Sequence, residues 1–378
     1  MKKVLVFSRD PGAVNVVIPI YKKLSTIESI QVDLYGKDTA LIRYREQGFV
    51  GIDIATVAST LSVDILVNFL VNSKYDLIVT GTTSDDVTDV MLWEAAFQAG
   101  IRSVAILDQW MNYTYRFTYE RLRFPGKDVR LILPDIVCVM DDYARNEMLL
   151  EGFPEERLVV TGQPYFETVQ AEAGMLSTQE KESLLSGLGI EEDEIVVTFA
   201  SEAIAESVDT ARHLGYTQLS ILEVLIPVLE KLSCGQCRAI VLVIKLHPRN
   251  DLELFAKYHA YKGNIKIVLA QEVSSRVLIG ISTVIVGMSS MFLLEAVCAK
   301  RPIVSVQVGL VSENPFILAR RGLVTTVVDK ESLEAVLLDI IVTGKQGKLP
   351  SIKFIDNASE TIMGDVIMKF LSEPNKKV

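Results

Sequence analysis

The sequence predicts an α/β protein built from two doubly wound, parallel-sheet domains in tandem. Three observations carry this. The chain has 378 residues, too many for one ordinary hydrophobic core. In each half, continuous Val/Ile/Leu runs alternate with helix-length segments, the pattern of strands buried on both faces of a parallel sheet. The alternation breaks at residues 161–193, rich in charge, Gly and Ser, and then restarts. The expected domains are 1–163 and 194–355, joined by a linker at 164–193, with a C-terminal helix at 356–378 packing back towards the first domain.

The first half opens with the strand KVLVFS and a helix from about Ala13 to Leu24, followed by IQVDLY and a helix near 38–47. DLIVT at 76–80 precedes a helix near 86–99, RSVAIL at 102–107 precedes a polar and aromatic stretch to about 130, and DIVCVM fills 135–140. The second half gives IVVTFAS at 195–201, a helix near 217–232, AIVLVIKL at 239–246, IKIVL at 265–269 and LVTTVV at 323–328. Between the last two, Ser282 to Gly287 is β-branched, Ser289 and Ser290 form a turn, a helix runs to about Ala299, and a strand starts at Pro302.

Composition excludes several classes. With 49% apolar and 23% charged residues, disorder is expected only in the tail SEPNKKV. A net charge of −10 argues against gripping a nucleic-acid backbone. The N-terminal apolar run ends at Ser8, Arg9 and Asp10, too early for a signal peptide. AIVLVIKL falls far short of the roughly 20 residues of a membrane span. A cytoplasmic protein follows. Of four cysteines only Cys234 and Cys237 have the C-x-x-C spacing, with no second pair or histidine cluster, so no metal site is expected.

Ligands of doubly wound sheets sit beyond the carboxyl ends of the strands, which selects the loops to inspect. In the first half these are SRDPGAVN, GTTSDD and DQWMNY, and in the second ASEA, HPRND, GMSS and VGLVSENP. Two such faces opposed across a cleft would form a two-substrate site. Ser289 and Ser290 open a helix whose amides and dipole suit a phosphate, and Gly287 and Ser201 stand at neighbouring strand ends. Glu295 places a carboxylate among Phe292, Leu293, Leu294, Ala296 and Val297. It calls for a partner, either a ribose diol or a basic side chain. His247, locked by Pro248 at a strand end, is a second phosphate-facing group. Asp10 occupies the turn where a G-x-G-x-x-G fingerprint would lie; only Gly12 remains of it, so dinucleotide binding is not expected. Asp10, Asp85, Asp86 and Asp108 are rival general bases towards a sugar hydroxyl. Residues 110–130 hold six aromatics with Arg116, Arg121, Arg123, Lys127 and Arg130, a patch for a carbohydrate, an anionic acceptor or a membrane surface.

Together these residues resemble the two-Rossmann glycosyltransferases of the GT-B fold. KLHP at 245–248 and MSSMFLLEA at 288–296 are similar to the HP and Ser-Ser motifs of bacterial sialyltransferases and capsule polysaccharide transferases, and VTGQPYFE at 160–167 resembles the entry to the GT-B interdomain linker. The resemblance implies that His247, Ser289 and Ser290 contact a donor phosphate and that Glu295 holds the ribose. The nearest analogue of the sialyltransferase acidic motif, SDDV at 84–87, lacks its glycine. The implied activity is an inverting, metal-independent glycosyltransferase needing no cofactor beyond its nucleotide-sugar co-substrate. A CMP-sugar is favoured, with CDP- or UDP-linked donors next, and the acceptor is a glycan or lipid-linked one in surface polysaccharide synthesis, with peripheral contact at the inner membrane face. GTTSDD and LDQW also resemble the acidic loops of UDP-N-acetylglucosamine 2-epimerases, so a nucleotide-sugar 2-epimerase or hydrolase is the alternative, and a non-catalytic protein of this fold the third.

Overall fold

The computed structural model describes residues 1–120, 129–172, 176–235, 238–271, 273–343 and 357–373. The chain divides into two compact units, Met1–Thr168 with Lys353–Val378, and Val169–Ile352.

Unit 1 is built on seven parallel strands: β1 Lys2–Ser8, β2 Ile30–Gly36, β3 Ile52–Asp53, β4 Leu77–Thr80, β5 Arg102–Ile106, β6 Ile136–Val139 and β7 Leu158–Val160. Their order is β3-β2-β1-β4-β5-β6-β7. Its helices are α1 Pro11–Ser25, α2 Thr39–Glu46, α3 Val63–Asn72, α4 Thr88–Gln98, α5 Tyr113–Arg116, α6 Asp142–Leu150 and α7 Pro164–Glu172. β1 shows why both faces are covered. Val4 and Val6 join one core with Val14 and Val17 of α1, whereas Leu5 and Phe7 join the other with Leu66 and Leu70 of α3 and Leu92 of α4.

Unit 2 repeats the plan with α8 Thr178–Gly187, β8 Ile195–Ala200, α9 Val208–Leu214, α10 Gln218–Cys234, β9 Ile240–Lys245, α11 Ala256–His259, β10 Lys266–Ala270, α12 Ser275–Ile281, β11 Val284–Gly287, α13 Met291–Cys298, β12 Ile303–Val306, α14 Ile317–Arg320, β13 Thr326–Val327 and α15 Lys330–Thr343. Its six strands run β10-β9-β8-β11-β12-β13. Each sheet therefore reverses direction beside its first strand, between β1 and β4 and between β8 and β11, and these are the topological switch points.

The stretch expected as a linker differs from that expectation. It carries α7 and α8, because Ser177 and Glu180 form a reciprocal capping box that starts α8 in a polar sequence. The C-terminal segment forms α16 Ala358–Thr361, a π-helical stretch Ile362–Met368 and α17 Lys369–Ser372. Ile362, Met363, Val366, Ile367 and Leu371 are buried in the core that holds α1, and Glu167 of α7 accepts hydrogen bonds from the Ser359 amide and hydroxyl. Among the described residues no helix is long and apolar enough to cross a membrane.

Replacing the fully buried Ile362 with Ala removes a core side chain contributed by a segment remote in sequence. We expect a loss of roughly 2–5 kcal/mol, read by urea denaturation as a lower midpoint for unit 1. An unchanged midpoint would show that the segment adds nothing to that core.

Candidate functional site

In unit 1 the segments after β1, β4 and β5 bring Arg9, Asp10, Asp85, Asp108 and Arg116 to the switch point. Arg9 contacts three carboxylates, Asp10 at 2.9 Å, Asp38 at 3.0 Å and Asp85. Asp108 lies at the end of β5 and pairs with Arg116 at 2.9 Å, both side chains being about 95% buried. The Thr82 hydroxyl donates to Asp108 Oδ1 at 3.0 Å and accepts from Arg116 Nη1 at 3.0 Å. Arg116 reaches this point because Asn112, in a left-handed conformation (φ 57°), turns the chain back into α5. Gly12 is required by the same contact, since a Cβ there would overlap the Asp108 carboxylate.

Asp10 differs from its neighbours. Burial, then the charges of Asp85 and Asp108, raise its pKa above the ordinary carboxylate value against the opposing pull of Arg9 and Arg116. Asp86 moves the other way: burial would raise it, but hydrogen bonds from Lys37 and Thr88 hold it low. It thus fastens the start of α4, and Asp85 is an exposed partner of Arg9. Asp89, absent from the sequence candidates, is buried and accepts from the Thr83 amide at 2.8 Å, tying the β4–α4 loop.

Part of the basic and aromatic patch expected at 110–130 lies in the interior. Trp110, Tyr113, Arg116 and Phe117 are all buried. Phe117 stacks on Trp93 at 5.0 Å and Trp110 on Phe166 at 5.9 Å, so these rings form core rather than a landing surface. Arg130 is exposed, while Arg121, Arg123 and Lys127 lie outside the described residues, as does Cys237 of the C-x-x-C pair.

In unit 2 the structure gathers Ser201, His247, Gly287, Ser289 and Ser290 at the carboxyl edge of the sheet, after β8, β9 and β11. Ser290 caps α13 by accepting from the Phe292 amide at 3.2 Å. The other half of the expected phosphate seat is filled by a side chain that the sequence did not single out. Glu202 accepts from the Ser289 amide at 2.7 Å and from the Ser289 hydroxyl at 2.8 Å. Burial nonetheless raises its pKa, outweighing these bonds and those from the Ser290 and Met288 amides.

His247, expected to face a phosphate, is not a source of positive charge near pH 7. Burial, then the nearby Arg249, lowers its pKa to about 4, so the ring is neutral near pH 7. Its Nδ1 accepts from the Arg249 amide at 3.1 Å, which leaves the proton on Nε2, and the ring serves as a neutral donor. Pro248 and Arg249 are exposed. The turn is positioned by Asn250, which accepts from the His247 amide at 2.8 Å and donates to Glu206 at 2.9 Å. Glu206, which burial would raise, is brought below the ordinary value by Asn250, Asp251 and Gln218. Ser305 and Gln307 on and after β12 both donate to the Met288 carbonyl, at 2.8 and 3.0 Å, and so hold the serine turn. Glu295 is 8% exposed on α13; burial and its charge push the Cys298 thiol up to about 12.

A cavity of about 750 Å³ beside β12, β13 and α15 is lined mainly by Ile303, Val304, Leu323, Val324, Val336 and Ile340. Its lining also includes Thr325, Thr326, Asp329, Ser332 and Asp339, and it contains none of the candidate residues.

No protein-family model matches the chain, and neither does any curated protein. Solved structures do resemble it. UDP-GlcNAc 2-epimerase from Neisseria meningitidis, bound to UDP-GlcNAc, aligns with a TM-score of 0.68 at 18% identity over 98% of this chain and 100% of its own. The enzyme of the same name from Methanocaldococcus jannaschii gives 0.67 at 17% identity over 98% and 100%. Anabaena HepE, in complex with UDP and glucose, gives 0.60 at 15% over 99% and 100%. Likeness at these identities establishes the fold: two Rossmann-like α/β domains, the class that the sequence predicts.

Asp108→Asn leaves the Arg116 guanidinium buried without its counter-charge, and a loss of roughly 3–5 kcal/mol is expected. Adding Arg116→Met should recover much of it in chemical denaturation. Full stability of the single variant would show that the pair is solvated rather than buried.

Proposed function

We propose that the chain is an enzyme acting on a UDP-linked amino sugar, of the nucleotide-sugar 2-epimerase or hydrolase type. The observation that carries this reading is the meeting of Asp10 and Asp108 at the β1/β4 switch point with different environments. Asp10, with a raised pKa, holds a proton nearer neutral pH; Asp108 is bound to Arg116. A raised acid beside a carboxyl group held by an arginine suits a proton's removal from one face of a sugar and its return to the other. A pyranose C2 has no adjoining carbonyl to stabilise a carbanion, so loss of its proton is coupled to departure of the nucleotide diphosphate from C1. Re-addition of the nucleotide after protonation at C2 closes an epimerisation, and addition of water closes a hydrolysis. Glu295 is assigned to the ribose, and the neutral His247 Nε2–H to a phosphate oxygen. The fold shared with the Neisseria and Methanocaldococcus epimerases supports this reading over the transferase that the motifs suggested.

Transfer to an acceptor hydroxyl is the second reading, favoured by the likeness to HepE with its UDP and glucose; Asp10 would then be the base. Incubation with UDP-GlcNAc in deuterium oxide, without acceptor, separates them. The epimerase or hydrolase reading expects one deuterium at C2 of the recovered sugar by NMR, and Asp10→Asn should slow its entry by about 10²-fold or more. Sugar consumed only when an acceptor is added, with no deuterium at C2, would overturn it. Because the Asp10 pKa is raised, activity that needs its protonated form should fall as pH rises through that raised value, and this limb should vanish in Asp10→Asn. Glu295→Ala should weaken UDP binding in calorimetry while leaving the melting temperature in place; the reverse pattern would assign Glu295 a structural role.

A further inference from the structure

The serine turn that leads into α13 holds an anion that belongs to the chain itself. Glu202 follows β8 and Ser289 follows β11, the two strands that flank the unit 2 switch point, so the carboxylate lies where this fold leaves room for a ligand. Its two oxygens take the Ser289 amide and the Ser289 hydroxyl, with the Met288 and Ser290 amides close by. The arrangement is one that an anionic group of a ligand would receive at a helix N-terminus.

A second observation points outside the chain. The Tyr216 hydroxyl is buried, feels the charge of Glu202, and has no hydrogen-bond partner; the side chain is 3% exposed. The Ser201 hydroxyl, on the residue before Glu202, is likewise buried and without a partner at 5% exposure. Buried hydroxyls are ordinarily satisfied, and the unsatisfied Tyr216 hydroxyl within reach of the Glu202 charge marks a seat whose present occupant does not fill it. A carboxylate is planar and offers two oxygens, both engaged here by Ser289. A phosphoryl group is tetrahedral and offers a third. Gly215 fixes this wall: its φ of 84° and its contact with the Gly309 carbonyl set the turn that delivers Tyr216, and no side chain fits at that contact.

We propose that Glu202 is a displaceable latch, its carboxylate occupying the seat of a ligand phosphoryl group at the α13 N-terminus and leaving when that ligand binds. The identity of the ligand as a nucleoside diphosphate rests on the function proposed above. The latch makes the binding-competent state a fraction of the population, and the apparent affinity falls by that fraction. It also selects ligands: a group with one weak negative charge does not outcompete a tethered carboxylate, and a diphosphate does.

Calorimetry on the full chain tests this with two probes, UDP and inorganic pyrophosphate. Glu202→Ala should bind UDP at least tenfold more tightly than the unaltered protein, with Glu202→Gln, which fills the seat without charge, in between. Adding Ser289→Ala to Glu202→Ala should remove most of the gain. If Glu202→Ala does not fold, the Glu202→Gln protein decides by the sign of its change. Pyrophosphate bound by Glu202→Ala with UDP ignored keeps the latch and overturns the nucleotide reading. UDP bound equally by all three proteins keeps the nucleotide reading and overturns the latch. Weaker binding by both variants, a gain that survives Ser289→Ala, or no anion bound by any variant also overturns it.

Discussion

A parallel sheet sends the carboxyl end of every strand to the same edge, and the reversal of strand order beside the first strand keeps one position on that edge uncovered by the crossover connections. Both units obey this constraint with the same order, and the polar side chains of interest follow from it. Arg9, Asp10, Thr82 and Asp108 extend the ends of β1, β4 and β5, whereas Ser201, Glu202, His247 and Ser289 extend β8, β9 and β11. Moving any of these residues into the strands would place charge between helical layers that have no room for it, as the fully apolar partners of Val4 and Leu5 show.

Desolvation sets the chemistry of these edges more than net charge does. The chain is acidic overall, yet its carboxylates at these edges behave in opposite ways according to what surrounds them. Asp86 and Glu206 gain enough hydrogen bonds to offset burial and stay low, and both serve to fix loops. Asp10 and Glu202 do not, and they are raised. Raised acids are unfavourable for the folded state as pH rises from the unfolded value through the folded one. They stand at the two switch points, Asp10 after β1 and Glu202 after β8.

The local elements were legible in the sequence because each rests on short-range pattern. The runs around Val4, Ile78, Val104, Val197 and Val243 read as buried parallel strands, and Ser290 read as a helix cap. Glu295 was legible as a buried acid because apolar neighbours surround it on one helix. Glu202 was not: in ASEA it has no pattern, and its role depends on a serine turn 87 residues away. Arg116 misled for a related reason. Basic and aromatic residues in a row suggest a surface patch, and only the fold reveals that Arg116 turns inward to Asp108 while Trp110 and Phe117 stack in the core.

The sequence by itself determined the strands, the helices, the two-unit plan and the edge at which the candidate residues fall, since hydrophobic periodicity and strand polarity are properties of contiguous residues. Tertiary structure decided which acids are raised and which are held low, that His247 is neutral near pH 7, and that the serine turn before α13 already holds Glu202. Those outcomes depend on burial and on partners brought together from distant strands, and neither quantity is encoded in any local stretch of the chain.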